Sequence, residues 1–479
     1  MRPTLHSCKL LVAVLAVALG GCAVGPAYQR PATPDISSFK EAAGWVAAAP
    51  ADALERGPWW SLFNDPLLDQ LAARVEVSNQ NVAAAVAAYA QARALVREQR
   101  AGLFPVVTLD GGGTRSHSSS SSSGSASGSG SGGSGGRTGN SYQLSIGGNW
   151  EPDVWGRLGR AVESAKSGAD ASAADLAAAK LSAQGELAIN YLSLRQLDAQ
   201  KALLKTTIEG FQRSLEITQN RYSAGIAAKT DVLQAQTQRA NAQADDAGLQ
   251  RQRAQLEHAI AVLVGVAPGN FTLAPAAWSP VAPEVPVGVP STLLQRRPDI
   301  AAAERRVAIA NEQIGIAKSA YYPSLSLGAS SGFGASRVAD LFNASSSVWS
   351  LGLSAAQVLF SAGATGARVE ASQAAHAQAV AQYRQTVLSA FQGVEDQLAA
   401  TRVLLTQQEL RSQASSAADQ VEQQLLNRYR SGQVSYTEVI TAQGTALTAR
   451  RALVQAMADR QTTAVALIQS LGGGWQVAK

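Results

Sequence analysis

The chain is short of cysteine, histidine and aromatic residues. Its 479 residues include two cysteines and four histidines, and aromatic side chains make up 6% of it. So few thiol and imidazole groups argue against a metal centre built from them. The sequence also shows no nucleophile, metal-ligand or phosphate-binding constellation. The composition therefore predicts neither an enzyme nor a bound metal or cofactor.

The chain also lacks a long apolar run beyond its N-terminal segment and a clustered basic stripe. No later run reaches the length of a membrane-spanning helix, so a mature protein that crosses a membrane must do so with β-strands. The net charge of +5 falls to about +3 once Arg2 and Lys9 are removed with the N-terminal segment. Without a basic stripe, no nucleic-acid partner is expected.

Residues 1–21 are predicted to be an export signal. Arg2 and Lys9 supply its positive start, and residues 10–19 form an apolar core too short for a membrane anchor. The Leu-Gly-Gly before Cys22 resembles the lipobox of bacterial lipoproteins, which implies that Cys22 becomes the first mature residue and carries acyl chains. The alternative is ordinary cleavage, which leaves Cys22 as a free thiol. Because Cys8 lies in the removed segment, no internal disulfide is expected.

One motif occurs twice and organises the rest of the chain. It reads Arg-Tyr-Ser-Ala-Gly at 221–225 and Arg-Tyr-Arg-Ser-Gly at 428–432, an offset of 207 residues (428 − 221). Each copy is followed by Thr, an acidic residue and Val, and then by Ala-Gln. A Val-Glu pair at 162–163 recurs at 369–370 with the same offset. Two blocks in one register predict a duplicated unit, with each glycine ending a helix at the turn of a helical hairpin.

Changes of periodicity divide the mature chain into segments. Helical and strand patterns predict that each repeat reads helix, strand pair, long helix, turn and helix. A Ser/Gly tract at 116–136 is predicted to be a disordered loop within the first strand pair. The predicted segments are an arm (22–65), repeat 1 (66–265, with a helix at 66–100 and strands within 103–150), a linker (266–296), repeat 2 (297–471, with strands within 322–360) and a tail (472–479).

The predicted strands carry apolar side chains on one face and polar side chains on the other. In residues 142–150, Tyr142, Leu144 and Ile146 alternate with polar residues. Four such strands leave two unpaired edges, which hydrocarbon does not tolerate, whereas three chains would close a twelve-stranded barrel. An alternative is a soluble helical protein with core aromatics. In the barrel, five aromatic residues near strand ends would lie at the membrane–water boundary: Phe104, Trp150, Trp155, Tyr322 and Phe360.

Several stretches together resemble the TolC-type outer-membrane efflux channels, in the lipoprotein branch that serves RND-type multidrug pumps. They are the segment from Cys22 to Pro31, the Trp-Trp-Ser-Leu-Phe-Asn-Asp-Pro at 59–66, the Arg-Pro-Asp-Ile at 297–300 and both turn motifs. The resemblance implies a homotrimeric β-barrel, four strands per chain, that continues into a long periplasmic α-helical barrel. It also implies two protein partners, a periplasmic adaptor and an inner-membrane pump, and passive conduction.

The resemblance implies that the two turn motifs form the periplasmic tip. Gly225 and Gly432 would shape the turns, and Arg221, Tyr222 and Arg428 would join them in contacting the adaptor.

The resemblance also implies a gate at this tip, formed by Thr230, Asp231, Tyr429 and Glu438. A hydrogen bond between Tyr429 and Asp231 would hold it closed.

The chain departs from the family pattern in three places. Glu438 and Thr441 stand where members often carry pore-facing aspartates, and Val434 stands where some carry arginine. Residues 360–363 lack the usual acidic residue. The departures at Glu438, Thr441 and Val434 predict a less tightly latched closed state, whereas the one at 360–363 bears on where the second strand–helix junction lies.

Two other functions remain open from the sequence. One is a lipid-anchored coiled-coil scaffold without a pore, against which the amphipathic strands argue. The other is a channel for type I protein secretion, although the lipobox and Trp59-Trp60 favour drug efflux. Either channel would lie in the outer membrane of a Gram-negative bacterium, anchored in lipid through Cys22.

Overall fold

The protein is mainly helical, with one small sheet. The computed structural model describes residues 24–32, 39–42, 58–118, 137–283, 285 and 297–473; Cys22 and residues 119–136 of the Ser/Gly tract lie outside them. The elements are α1 (Pro66–Ser78), α2 (Gln80–Ala101), β1 (Val106–Ser118), β2 (Arg137–Trp150), α3 (Arg157–Ser223), α4 (Lys229–Leu263), α5 (Pro298–Ser319), β3 (Ser324–Ala335), β4 (Ser347–Ala356), α6 (Ala364–Arg430) and α7 (Tyr436–Ser470).

The helix lengths confirm the predicted duplication. Helices α3 and α6 each have 67 residues, and α4 and α7 each have 35. Both pairs are offset by 207 residues (364 − 157 and 436 − 229), the offset of the sequence motifs. At about 1.5 Å per residue, α3 and α6 are each roughly 100 Å long. None of the helices within the described ranges combines the length and apolar character needed to cross a membrane.

The chain forms two compact units. The first comprises the described residues within Met1–Arg30, Gln91–Ala169 and Arg306–Val380, and it contains the sheet. The second comprises those within Pro31–Ala90, Asp170–Arg305 and Ala381–Lys479, and it contains both helical turns.

The sheet of the first unit is antiparallel, in the order β1-β2-β3-β4, so β1 and β4 have no strand neighbour on their outer edges within the described chain. The pairing register gathers apolar residues on one face: Leu109 lies opposite Ile146, and Leu327 lies opposite both Trp150 and Leu353. The predicted alternation is therefore confirmed. On the other face, serine hydroxyls pair between β3 and β4.

The strand boundaries differ from the prediction. β1 begins at Val106 and runs through Ser118, beyond the predicted start of the Ser/Gly loop at 116. Main-chain hydrogen bonds do not require an apolar side chain, so Gly and Ser extend a strand once its partner is in register. At the other end, β4 stops at Ala356, short of the predicted 360.

The helix predicted over 66–100 is two helices, because Asn79 interrupts it. The Asn79 side-chain oxygen accepts hydrogen bonds from the backbone N–H groups of Asn81 (2.9 Å) and Val82 (3.1 Å), and so caps α2. Its amide nitrogen donates to the carbonyl oxygen of Leu263 at 2.9 Å. The same side chain therefore starts α2 and holds the end of α4.

A buried ionic network ties the linker to the helices of the second unit. The Asp198 carboxylate, 3% exposed, accepts hydrogen bonds from Arg195 (3.0 Å) and Arg253 (2.7 Å). These two arginines also donate to the carbonyl oxygens of Ala274 (2.9 Å) and Leu273 (2.6 Å). Because each buried charge has partners, the network fixes the linker without an unpaired ion.

Candidate functional site at the helical turns

The two helical turns have the same main-chain geometry. After α3, Gly225 adopts φ 75°, and the N–H groups of Gly225 and Ile226 donate to the carbonyls of Tyr222 and Arg221. After α6, Gly432 adopts φ 73° and the same two bonds recur 207 residues later. This Schellman arrangement needs a left-handed residue, which glycine supplies without strain. The predicted role of both glycines is confirmed at the level of geometry.

Arg221 joins the two hairpins. Its guanidinium donates to the carbonyl oxygen of Tyr429 at 3.0 Å and lies 4.8 Å from the centre of the Tyr429 ring. The Tyr429 hydroxyl lies 3.4 Å from the hydroxyl of Thr218. We refer to Thr218, Arg221 and Tyr429 as the turn latch. Its cation–π contact and hydrogen bonds connect the first repeat to the second within one chain.

An apolar cluster supports the turn latch. Tyr429 is 4% exposed, and its ring centre lies 5.2 Å from that of Tyr436. Burial raises the pKa of Tyr436 to about 12, and nearby Tyr429 and Asp231 add to the shift. The neutral hydroxyl is therefore the form that fits this cluster. The other buried members are Leu215, Val232, Ala235 and Val439.

The predicted gate residues do not all meet. Tyr429 lies in the turn latch, but within the described chain its hydroxyl faces Thr218, and no hydrogen bond joins it to Asp231. Asp231 lies in the first turn of α4, where its charge suits the positive helix end, and Thr230 beside it is exposed. Glu438 accepts hydrogen bonds from the N–H and hydroxyl of Ser435, both at 3.1 Å, and so caps α7.

The residues predicted to contact an adaptor differ in exposure. Tyr222 is 45% exposed and Arg428 is exposed, so both can reach a partner. Arg221 is half-buried against Tyr429, and its role inside the chain was not predicted. The sequence also gave no sign of Thr218 or Tyr436 as partners, since neither belongs to the repeated motif.

The predicted boundary aromatics lie where the strands end. Trp155 stacks on Tyr322 with ring centres 4.8 Å apart and donates to the carbonyl oxygen of Pro323 at 2.7 Å. Trp150 donates to the carbonyl oxygen of Leu103 at 2.9 Å. Phe104 and Phe360 are both exposed. An indole ring whose N–H is hydrogen-bonded suits a membrane–water boundary. The position of these aromatic residues at such a boundary stays a prediction.

The two junctions that lead from strand to long helix have different chemistry. After β2, Glu151 forms a salt bridge with Arg157 at 2.7 Å. Asp153 accepts hydrogen bonds from the first-turn N–H groups of Leu158 (2.9 Å) and Gly159 (2.6 Å). The junction after β4 has no salt bridge and no carboxylate cap; the Ser361 hydroxyl accepts a long hydrogen bond from the N–H of Thr365 at 3.4 Å. Three exposed apolar residues, Val358, Leu359 and Phe360, precede it.

Comparison with known proteins supplies the family. The sequence profile of the family described as "Outer membrane efflux protein" matches residues 71–266 and 289–473, most of the chain. The chain belongs to the outer membrane efflux protein family. It is therefore an outer membrane protein of an efflux system, and not a pore-less scaffold.

Related members of this family act on different substrates, by their names. The antibiotic efflux pump outer membrane protein ArpC of Pseudomonas putida is 31% identical over 97% of this chain and 95% of its own length. The cation efflux system protein CusC of Escherichia coli is 29% identical over 98% and 99%. The solved structure of the outer-membrane channel OprN has a TM-score of 0.84 at 30% identity, covering 95% of this chain and all of that one.

Proposed function

We propose that three copies of this efflux-family chain form one passive channel. The observation that carries the proposal is the sheet: it has one apolar face, one polar face and two edges without a strand partner in the described chain. Each unpaired edge in hydrocarbon would expose N–H and C=O groups at a high cost. Pairing β4 of one chain with β1 of the next satisfies them, and three chains close a twelve-stranded barrel.

The turn region forms the periplasmic end of this channel. There the turn latch holds the two hairpins of each chain together, and Tyr222 and Arg428 remain accessible to a periplasmic adaptor. The adaptor connects the channel to an inner-membrane pump of the RND type. The pump supplies the energy and selects the substrate, so conduction requires no catalytic group or cofactor in this chain.

The N-terminal arm supports lipid anchoring at Cys22. The N–H of Val24, two residues later, donates to the carbonyl oxygen of Trp155 at 3.2 Å. Pro26 accepts a hydrogen bond from Arg160 at 3.3 Å, and Arg160 is paired with Glu312 at 2.8 Å. These contacts hold the arm close to the strand ends, where an acyl chain on Cys22 would enter the membrane boundary.

Planar-bilayer recording tests the proposal. The protein, extracted in detergent, should insert as channels of low conductance, and Arg221→Ala should raise the conductance because it removes the cation–π contact and the bond to Tyr429. Arg213→Ala, an exposed arginine on the same helix, is the matched control and should leave conductance unchanged. Absence of channels from a correctly folded trimer would contradict the proposal. Export of small molecules rather than proteins is supported by the efflux names of the relatives.

A further inference from the structure

The apolar face of the sheet is bounded by an aromatic ring at each end. On β2, Trp150 lies at the end that leads into the helices, and Tyr142 lies eight residues away (150 − 142) on the same face. Eight residues of strand span about 26 Å, or about 20 Å across the membrane at a tilt of about 40°. This length approaches the apolar band of about 25 Å that membrane strands present to lipid.

Two basic side chains lie on this face just beyond Tyr142. Arg115 and His117 of β1 lie opposite Asn140 and Thr138, which are two and four residues past Tyr142 on β2. Because alternate residues of a strand share a face, all four side chains continue the face that carries Tyr142. All four are exposed. The face therefore changes from apolar to basic and polar at the end away from the helices.

No acidic side chain balances this charge on the same face. Asp110 is the single acidic residue of the four described strands, and it lies on the polar face, where the Thr108 hydroxyl donates to it at 2.8 Å. The Arg115 side chain forms no salt bridge or hydrogen bond with the residues that the structure describes. His117 Nδ1 lies 2.9 Å from the Thr138 hydroxyl. The positive charge of Arg115 is thus left unpaired within the described chain.

The end of this face next to the helices has no comparable group. The four residues that end the face there carry no charge, and the nearby Arg157 is already paired with Glu151 at 2.7 Å. These four residues are Val107, Trp150, Leu325 and Ala355. The basic groups of the face therefore occur at one end only. In the proposed barrel, whose helices extend into the periplasm, this end lies in the outer half of the membrane.

We propose that Arg115, His117, Thr138 and Asn140, which we call the lipid patch, bind the phosphate groups of a phosphorylated membrane lipid. The patch offers a guanidinium, an imidazole, a hydroxyl and an amide, and each of these groups can donate to phosphate oxygens. A lipid fits better than a soluble phosphate, because the apolar face directly beside the patch accommodates acyl chains. The inference rests on the proposed barrel and adds a ligand to its outer surface.

Native mass spectrometry tests the lipid patch. The full, detergent-extracted protein is titrated with diphosphoryl lipid A, and the bound lipids are counted. Arg115→Gln should weaken binding roughly five-fold, the effect of one basic side chain near an anionic membrane surface. The matched control is Arg97→Gln, which removes an exposed arginine of α2 outside the sheet and should leave binding unchanged. Asn140→Arg adds a cation opposite Arg115 and should tighten binding by roughly the same factor.

The outcomes separate this inference from the proposed function. Equal affinity for the lipid in the wild type, Arg115→Gln and Asn140→Arg would overturn the lipid patch. Displacement of the lipid by an equal concentration of inorganic phosphate would mean that free phosphate is the ligand, and would also overturn it. Single chains in place of trimers would instead overturn the proposed function. The patch lies within one chain, so the effect of Arg115→Gln on bound lipid would still decide the inference.

Discussion

The two repeats of this outer membrane efflux protein share a backbone but direct their side chains differently. At the strand-to-helix junction, repeat 1 has Glu151–Arg157 and the helix-capping Asp153, whereas repeat 2 has exposed Val358, Leu359 and Phe360. At this junction the polar groups of repeat 1 are hydrogen-bonded within the chain, whereas the apolar side chains of repeat 2 are exposed on its surface. In an assembly of identical chains, such a division lets every repeat contact a neighbour that complements it.

The middle of the long helices shows the same contrast. Asp198 of α3 is buried in the ionic network that holds the linker, and the position 207 residues later in α6 is Leu405, which is exposed. Arg195 and Arg402 occupy equivalent positions. Arg195 pairs inside the network, whereas Arg402 bonds to Glu41 of the arm. The shared arginine therefore anchors two different segments of chain.

The largest expected effect comes from breaking the network of repeat 1. Asp198→Ala leaves Arg195 buried without a carboxylate and leaves Arg253 with Glu257 alone, and it should lower the free energy of unfolding by about 3–5 kcal/mol. Leu405→Ala, the equivalent change in repeat 2, should cost less than about 0.5 kcal/mol, because its side chain is exposed. Denaturant unfolding followed by circular dichroism in detergent measures both. Equal losses in the two variants would contradict the contrast between the repeats.

A smaller effect is expected at the strand-to-helix junctions. Asp153→Ala removes the acceptor for two first-turn N–H groups of α3 and should cost about 1 kcal/mol. Ser361→Ala in the second junction removes two long contacts with Thr365, one with its N–H (3.4 Å) and one with its hydroxyl (3.3 Å). This change should cost a few tenths of that, about 0.3 kcal/mol. The denaturant midpoints of unfolding of the two variants show which of them loses more stability. A larger loss for Ser361→Ala would mean that the junctions have been assigned the wrong roles.

Alkaline titration distinguishes the two turns, since repeat 1 has Lys229 where repeat 2 has Tyr436. The folded-state pKa of Tyr436 is raised from 10.0 to about 12 by burial. The stability that this provides is complete below pH 10.0 and is lost as the pH rises to about 12. Tyr436→Phe should therefore flatten the loss of stability over this range, and ultraviolet titration should show one fewer late-ionising tyrosine. An unchanged titration would mean that Tyr436 is not buried.

The smallest expected effect concerns the turn latch. Tyr429→Phe removes a long hydrogen bond to Thr218 and keeps the ring under Arg221. A loss of about 0.5 kcal/mol corresponds to roughly a twofold rise in open probability in planar bilayers. Tyr222→Phe, the equivalent change in repeat 1, should leave the open probability unchanged, since the Tyr222 hydroxyl has no hydrogen-bond partner among the residues that the structure describes. An unaltered Tyr429→Phe channel would count against the latch.

Periodic features of the sequence predicted the fold well. Local backbone preference and hydrophobic pattern, which can be read directly from the sequence, determine three of its features. These are the glycine turns, the start of α6 at Ala364 and the alternating faces of the strands. The sequence patterns did not predict the interruption of the first helix at Asn79, because part of its cause is a hydrogen bond from Asn79 to the carbonyl of Leu263, which is far away in the sequence. A Ser-Asn-Gln stretch was the available signal, since asparagine is a preferred helix cap.

Contacts between distant residues could not be predicted from the same patterns. The resemblance placed Tyr429 opposite Asp231, but the hydroxyl faces Thr218, which carries no motif. Likewise, the spacing of Arg195 and Asp198 fits an ordinary pair on a helix surface, and only the fold shows that Arg253 and the linker bury it. Side-chain pairing across helices depends on packing that a single sequence does not encode locally.

Native mass spectrometry of the detergent-extracted, unheated protein tests most directly whether the sheet needs other copies to close. The expected mass equals three mature chains, each lipidated at its N-terminal cysteine, and it falls to the mass of one chain on heating. A folded single chain, with its β1 and β4 edges protected from hydrogen exchange, would contradict it.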